Sequence, residues 1–260
     1  MAASRSTLGR SGPPNLTSER RLAVGPPWLG GEVRPQLERI RELKLNFDPA
    51  GLSSVKRDAW HVDDYCRSLP PEPPGEPIPS GSFETAKRLL RDYEFADPSR
   101  IRAYYWADAP LEHRYMLLEI RYLTLRVRVG VRIGDVFDEV REIDGRSARI
   151  WGWAYRTLEG HLERGQMDYQ VWKWLDTGEV EYRIHAVAQV AESRRPILNL
   201  GFRLVGRRQQ VRFARRCAER MEDLVKMRLN ARLREPLPRP ATGILVSPSS
   251  AATLQVDFER

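Results

Sequence analysis

The residues best equipped for chemistry crowd one short stretch: Arg156, Glu159, His161 and Glu163. A carboxylate beside an imidazole can tune a general base. Glu159 and His161 are two apart, so an extended turn puts them on one side. The planar fork of Arg156 suits a carboxylate or a phosphate. The same residues could equally make a turn held by its own polar bonds, Arg156 to Glu159 and His161 to the backbone. His185 is the other candidate acid or base. Strand parity sets it with Glu181 and Arg183, opposite Tyr182, Ile184 and Ala186, and a solvent-side role competes with a catalytic one. A metal site from His113, His161 and His185 has no HxH or HxxxH spacing behind it, and no metal is expected.

A second constellation is aromatic. Trp151, Trp153 and Tyr155 share one strand face, and Trp172 and Trp174 share a face of another. With Arg156 at the rim, these residues could line a ligand pocket, or they could fill a core. If both tryptophan pairs point to one side of a sheet, an apolar floor ends in a polar rim. Buried indole N–H groups need partners, which suits a partly polar pocket.

These groups must be positioned by the surrounding elements. Leu125, Val127, Val129, Val131 and Ile133 alternate with Arg126, Arg128, Gly130 and Arg132, which predicts a strand apolar on one face and cationic on the other. Further strands are predicted at 115–122, 136–143, 148–157, 165–175 and 179–190. The links Asp144-Gly145 and Asp176-Thr177-Gly178 are hairpin-like and force antiparallel neighbours. Pro35 opens a short helix with Leu37, Ile40 and Leu43 on one face. Ser82 caps another that runs to Tyr93, and Asp97-Pro98 starts a helical turn through Ala103. Beyond Gly206, the spacing of Val211, Ala214, Ala218, Met221 and Val225 predicts a long amphipathic helix of roughly 25 residues.

Helices, then antiparallel strands, then one long helix make an α+β chain. A curved antiparallel sheet gripping the C-terminal helix would bury both apolar faces, and a straight rod against a curved sheet leaves room for a cavity. The chain divides into a disordered arm at 1–31, a short helix and Pro-rich connector at 32–81, an α+β domain at 82–234 and a flexible tail at 235–260.

Composition narrows the function classes. The chain has 260 residues, 41% hydrophobic and 30% charged, so it is not wholly disordered. No apolar run is long enough to cross a bilayer, and the arm lacks the apolar run of a secretory signal. The two cysteines, Cys66 and Cys217, form no disulfide framework and fit a reducing, cytoplasmic setting. The net charge is +8, and the stretch 200–235 carries eleven basic residues against four acidic ones. Any anionic partner is therefore expected at the last helix, and general nucleic-acid binding is not expected. There is no Gly-x-Gly-x-x-Gly, Walker loop or Gly-x-Ser-x-Gly, and no cofactor is expected.

The string Trp151-Gly152-Trp153-Ala154-Tyr155-Arg156-Thr157-Leu158-Glu159-Gly160-His161 is distinctive, as is its continuation through Tyr169-Gln170-Val171-Trp172-Lys173-Trp174 to Arg183-Ile184-His185-Ala186. It resembles the family called domain of unknown function nineteen-ninety, also uncharacterised protein family five-four-eight, over roughly 83–233. The resemblance implies a START-like, helix-grip fold and lipophilic-ligand binding, and it brings no established reaction. Three readings stay open. The first is a module holding a small hydrophobic or amphipathic molecule between sheet and helix. The second is an enzyme of cyclase, isomerase or hydrolase type in the same cavity, with Glu159, His161 or His185 as acid or base. The third is binding of an anionic surface or nucleic acid by the arginine-rich helix. Oligomeric state is left open.

Overall fold

The computed structural model describes residues 27–54, 60–122, 125–191, 196–230 and 240–249, with backbone alone at 53–54, 122 and 196–210. The arm at 1–26 and most of the C-terminal tail lie outside the described residues. Three helices and eight strands run α1 (Val33–Arg39), β1 (His61–Leu69), α2 (Ser82–Arg91), β2 (Ile101–Trp106), β3 (Tyr115–Tyr122), β4 (Leu125–Ile143), β5 (Arg146–Thr157), β6 (Glu163–Trp174), β7 (Val180–Val190), α3 (Pro196–Leu229) and β8 (Ile244–Ser247). The strands form one antiparallel sheet in the order β1-β7-β6-β5-β4-β3-β2-β8. Its curved inner face takes α2 and α3, so the α+β helix-grip fold is the fold of this chain.

The hairpins follow from local chemistry. Asp144 and Gly145 both take positive φ, 51° and 76°, in the two-residue turn that pairs Ile143 with Arg146. The alternation expected of 125–133 is real: Val127, Val129, Val131 and Ile133 are buried. The two strands expected at 125–133 and 136–143 are one, interrupted by a register shift between Ile133 and Val136. Such an irregularity redirects side chains without ending a strand.

Four expectations need correction. β1 lies within the supposed connector, where its alternation is dulled because it is an edge strand, mostly exposed or half-exposed. β2 replaces the helical turn expected through Ala103. The Asp97 carboxylate accepts the Ser99 N–H at 2.9 Å, but the turn ends there and feeds a strand with Ile101, Ala103 and Tyr105 buried. β8 lies in the supposed tail and pairs with β2. α3 begins at Pro196 rather than near Gly206 and runs for 34 residues, since Pro suits the first helical position. Its expected stripe is buried at Ala214, Ala218, Met221 and Val225, joined by Cys217 and Leu224.

The outer sheet face is partly covered. Residues assigned to the arm are docked there: Trp28 exchanges backbone hydrogen bonds with Arg128 at 3.0 and 2.8 Å. Trp28, Leu37, Ile40, Leu117 and Leu158 form a buried cluster that holds α1 on that side.

The Pro-rich connector is pinned by a buried ion pair. Lys173 Nζ, on β6, donates to Glu72 Oε2 at 2.7 Å and to the Glu76 carbonyl at 2.9 Å. Both side chains are almost wholly out of solvent, at 0% and 2% exposure. The other Glu72 oxygen accepts the Phe83 N–H at 2.8 Å, in the first turn of α2, where the helix start has no cap of its own. Glu72 also donates its N–H to the Gly178 carbonyl, and a Cβ at Gly178, whose φ is +78°, would stand 1.9 Å from the backbone carbonyl oxygen of Glu72.

Removing one member of this pair should leave a buried, uncompensated charge. Lys173→Met is expected to cost about 3–5 kcal/mol in urea unfolding. A loss below about 1 kcal/mol would mean that the connector is not anchored through Glu72.

Candidate functional site

The inner face of β5, β6 and β7 is a bed of aromatic rings. Parity turns Trp151, Trp153 and Tyr155 inward from β5, Tyr169 from β6 and Tyr182 from β7. Tyr93 and Phe95 reach them from the segment after α2. Ring centroids lie 5.0 Å apart for Trp153–Tyr169, 4.7 Å for Phe95–Tyr169 and 4.9 Å for Tyr93–Phe95. The Trp153 indole N–H donates to the Leu90 carbonyl at 3.3 Å. Cys217 and Met221 of α3, both fully buried, belong to the same cluster.

Tyr93 is held there against its backbone preference. Its N–H bonds the Leu90 carbonyl at 3.1 Å, and the Glu94 N–H bonds the Leu89 carbonyl at 2.9 Å. This pattern ends a helix with a left-handed residue, usually glycine. Tyr93 adopts it with φ 58°, a strain on the order of 1–3 kcal/mol that the ring packing must offset.

The phenol hydroxyls are poorly matched. Tyr169 donates to the Met167 thioether at 2.8 Å, and Tyr155 reaches the same sulfur at 3.6 Å. Sulfur is a weak acceptor. The Tyr182 hydroxyl, 0% exposed, has no hydrogen-bond partner among the described residues, and the Tyr93 hydroxyl, also 0% exposed, has only a loose contact with the Tyr169 phenol and no well-formed bond. Burial pushes all four phenols above their ordinary pKa. Burial also raises the Cys217 thiol, so this cysteine stays protonated and is no nucleophile. The group is thus a set of neutral donors in an apolar setting.

The residues singled out from sequence do not meet at one place. Trp151, Trp153 and Tyr155 are on the inner face, with Lys87 of α2 5.6 Å from the Trp151 ring centre. Trp172 and Trp174 are on the outer face, paired with Ile150 and Ala148, because Trp151 sits opposite Val171. The five aromatics therefore do not share one floor. Arg183 lies 3.8 Å over Trp172, and Arg146 lies 4.3 Å over Trp174. Arg156 is also on the outer face. It pairs with Asp135, which the β4 irregularity presents, and donates to Gln166 at 2.8 Å, not to Glu159.

Glu159 and His161 face different partners. Glu159 is exposed and accepts the Lys44 N–H at 3.2 Å. His161 is buried, and its Nδ1 accepts the Glu163 N–H at 3.0 Å. Burial lowers its pKa to about 4, against an opposing pull from the Glu163 backbone, so the ring is neutral. His185 pairs with Asp64 of β1 at 2.7 Å on the outer face. Glu159, His161 and His185 thus form no acid–base pair on the inner face. Among the described residues there is no group of three metal-ligating side chains.

Tyr182 was within reach of parity, since it shares a strand face with Ile184 and Ala186, but Tyr169 was not, since an inward Trp172 and Trp174 would turn it outward. Tyr93 was not, because a loop residue after a helix carries no period.

Two measurements check this geometry. Trp153→Ala empties a packed position and is expected to cost about 3–5 kcal/mol; a loss near zero would mean the ring bed is not core. The second concerns His161. Between pH 6.5 and about 4 the unfolded chain binds a proton that the folded chain refuses, so stability falls as pH drops through that window. The full loss is about 3 kcal/mol by pH 4. His161→Asn should flatten that part of the profile, and an unchanged slope would contradict a neutral, buried ring.

Comparison with known proteins adds the following. No curated protein matches the chain. Among solved structures, it is similar to one titled "Crystal structure of Ara h 8.0201", with a TM-score of 0.37 and 9% identity over 64% of this chain and 98% of that one. The family described as Domain of unknown function (DUF1990) matches residues 49–220, a span that takes in β1 to β7, α2, α3 as far as Arg220 and the Trp151–His161 string. The chain belongs to that family.

Proposed function

We propose that the protein binds a small hydrophobic or amphipathic molecule between the inner sheet face and α3. The observation that carries this reading is the unmatched hydroxyl of Tyr182, beside the poorly matched one of Tyr93, in an aromatic, water-excluding cluster. A buried donor without a partner costs about 1–3 kcal/mol, and native structures leave few of them. A ligand with an apolar body and a carbonyl, ether or hydroxyl oxygen would cover the rings and accept from the phenols. The strained backbone of Tyr93 fits the same role, since such strain gathers at ligand sites. Trp151, Trp153 and Tyr155 supply apolar surface in this reading. Arg156, Trp172 and Trp174 stand on the other side of the sheet and do not touch the ligand.

The phenols provide the test. Tyr182→Phe removes a hydroxyl with no partner among the described residues, and Tyr93→Phe removes one with only a loose contact to the Tyr169 phenol. Each variant should melt at or above the parent temperature, yet bind an anthroyloxy fatty acid probe several-fold more weakly. If both variants lose about 1–2 kcal/mol and the parent binds no probe, the hydroxyls serve the core and the proposal fails.

A further inference from the structure

The outer face of β2, β3 and β4 carries two ranks of charge. In the first, Arg102, Glu119 and Arg128 stand in line across the three strands. In the second, Arg121 stands opposite Arg126, and the Arg100 carbonyl accepts the Arg121 N–H at 2.8 Å, which sets Arg100 alongside. Among the described residues, Glu119 is therefore the one carboxylate standing among the guanidinium groups of Arg102, Arg121, Arg126 and Arg128.

That carboxylate is already committed. Glu119 is 1% exposed and accepts from Arg128 Nε at 2.9 Å and from Arg121 Nε and Nη2 at 3.2 and 3.1 Å. The Tyr104 hydroxyl reaches it at 3.5 Å. Burial pushes its pKa up, but the hydrogen bonds from Arg128 and Arg121 more than reverse this, so it stays ionised. Arg128 is also spent, since its Nη1 donates to the Gly31 carbonyl at 2.7 Å and to Gln36 at 3.3 Å.

Two costs remain unrelieved. Like charges directly opposite on an antiparallel pair, as Arg121 and Arg126 are, destabilise the sheet. Arg102 Nε is buried and has no partner among the described residues. A single anion seated over Arg102, Arg121 and Arg126 would relieve both. The face of α3 is a poorer candidate. A groove of about 510 Å³ there is lined by Arg216 and Arg220 but also by Asp97, Glu219 and Asp223.

We propose that this arginine cluster on the outer sheet face is a binding site for a phosphate group, carried by a free small molecule or by a lipid headgroup. Guanidinium forks match phosphate oxygens in pairs, and charge-assisted bonds are about twice as strong as neutral ones. The site lies across the sheet from the aromatic bed and is independent of it.

The experiment titrates the full chain with inorganic pyrophosphate and, separately, with vesicles of equimolar phosphatidate and phosphatidylcholine. Arg126→Gln changes an exposed side chain and removes the opposed charge, so the melting temperature should hold or rise slightly. It should weaken binding about tenfold, and Arg102→Gln should do the same, while Arg212→Gln on α3 should have no effect. Binding should fall steeply with salt. Saturable pyrophosphate binding that Arg126→Gln weakens assigns a free phosphate. Vesicle binding alone, weakened by the same change, assigns a headgroup. Binding by neither route, or binding that Arg126→Gln and Arg102→Gln leave intact, overturns the proposal.

Discussion

The buried contact between Lys173 and Glu72 ties together parts of the chain that lie about a hundred residues apart. Lys173 is near the end of a central strand, and Glu72 sits in a segment of prolines that cannot form regular structure. One Glu72 oxygen neutralises the ammonium group, and the other serves the first turn of α2. Two ions in a dry interior survive only when each is fully bonded. Here the ammonium group meets both the carboxylate and the Glu76 carbonyl, both Glu72 oxygens accept, and the consequence is positional. The end of β6 sets the connector, the connector sets the start of α2, and α2 carries Leu90 and Tyr93 to the aromatic bed.

The sheet separates two kinds of chemistry. Inward, rings pack at close range around neutral phenols, a protonated thiol and a thioether. Outward, guanidinium groups lie over indoles or crowd one carboxylate. Each face follows from strand parity, so a one-residue slip would exchange them. The bonds of α1 and Trp28 to the outer face also make the N-terminal residues from 27 part of the fold.

Much of this was legible in the residues. The alternation in β4, the turns at Asp144-Gly145 and Asp176-Thr177-Gly178 and the stripe of α3 were enough for the helix-grip fold. Edge strands escaped, because β1 and β8 bury too little to show a period. The candidate site was only half legible. Trp151, Trp153 and Tyr155 were read on one face correctly, but the register that sends Trp172 and Trp174 outward depends on which residue of β6 faces Trp151. Pairing partners are a tertiary fact. The position of Tyr93 depends on a helix end closing with a side chain in a glycine conformation, which no pattern of types announces. The apparent Glu159–His161 pair failed because each found a backbone partner first.

The central claim is the proposed binding of a small molecule between the inner sheet face and α3. Native mass spectrometry of the protein purified from its own host tests it most directly. The account predicts a mass above that of the bare chain, lost on denaturation and diminished in the Tyr93→Phe, Tyr182→Phe double variant. A bare-chain mass in the parent, unchanged when an anthroyloxy fatty acid is added in excess, would contradict it.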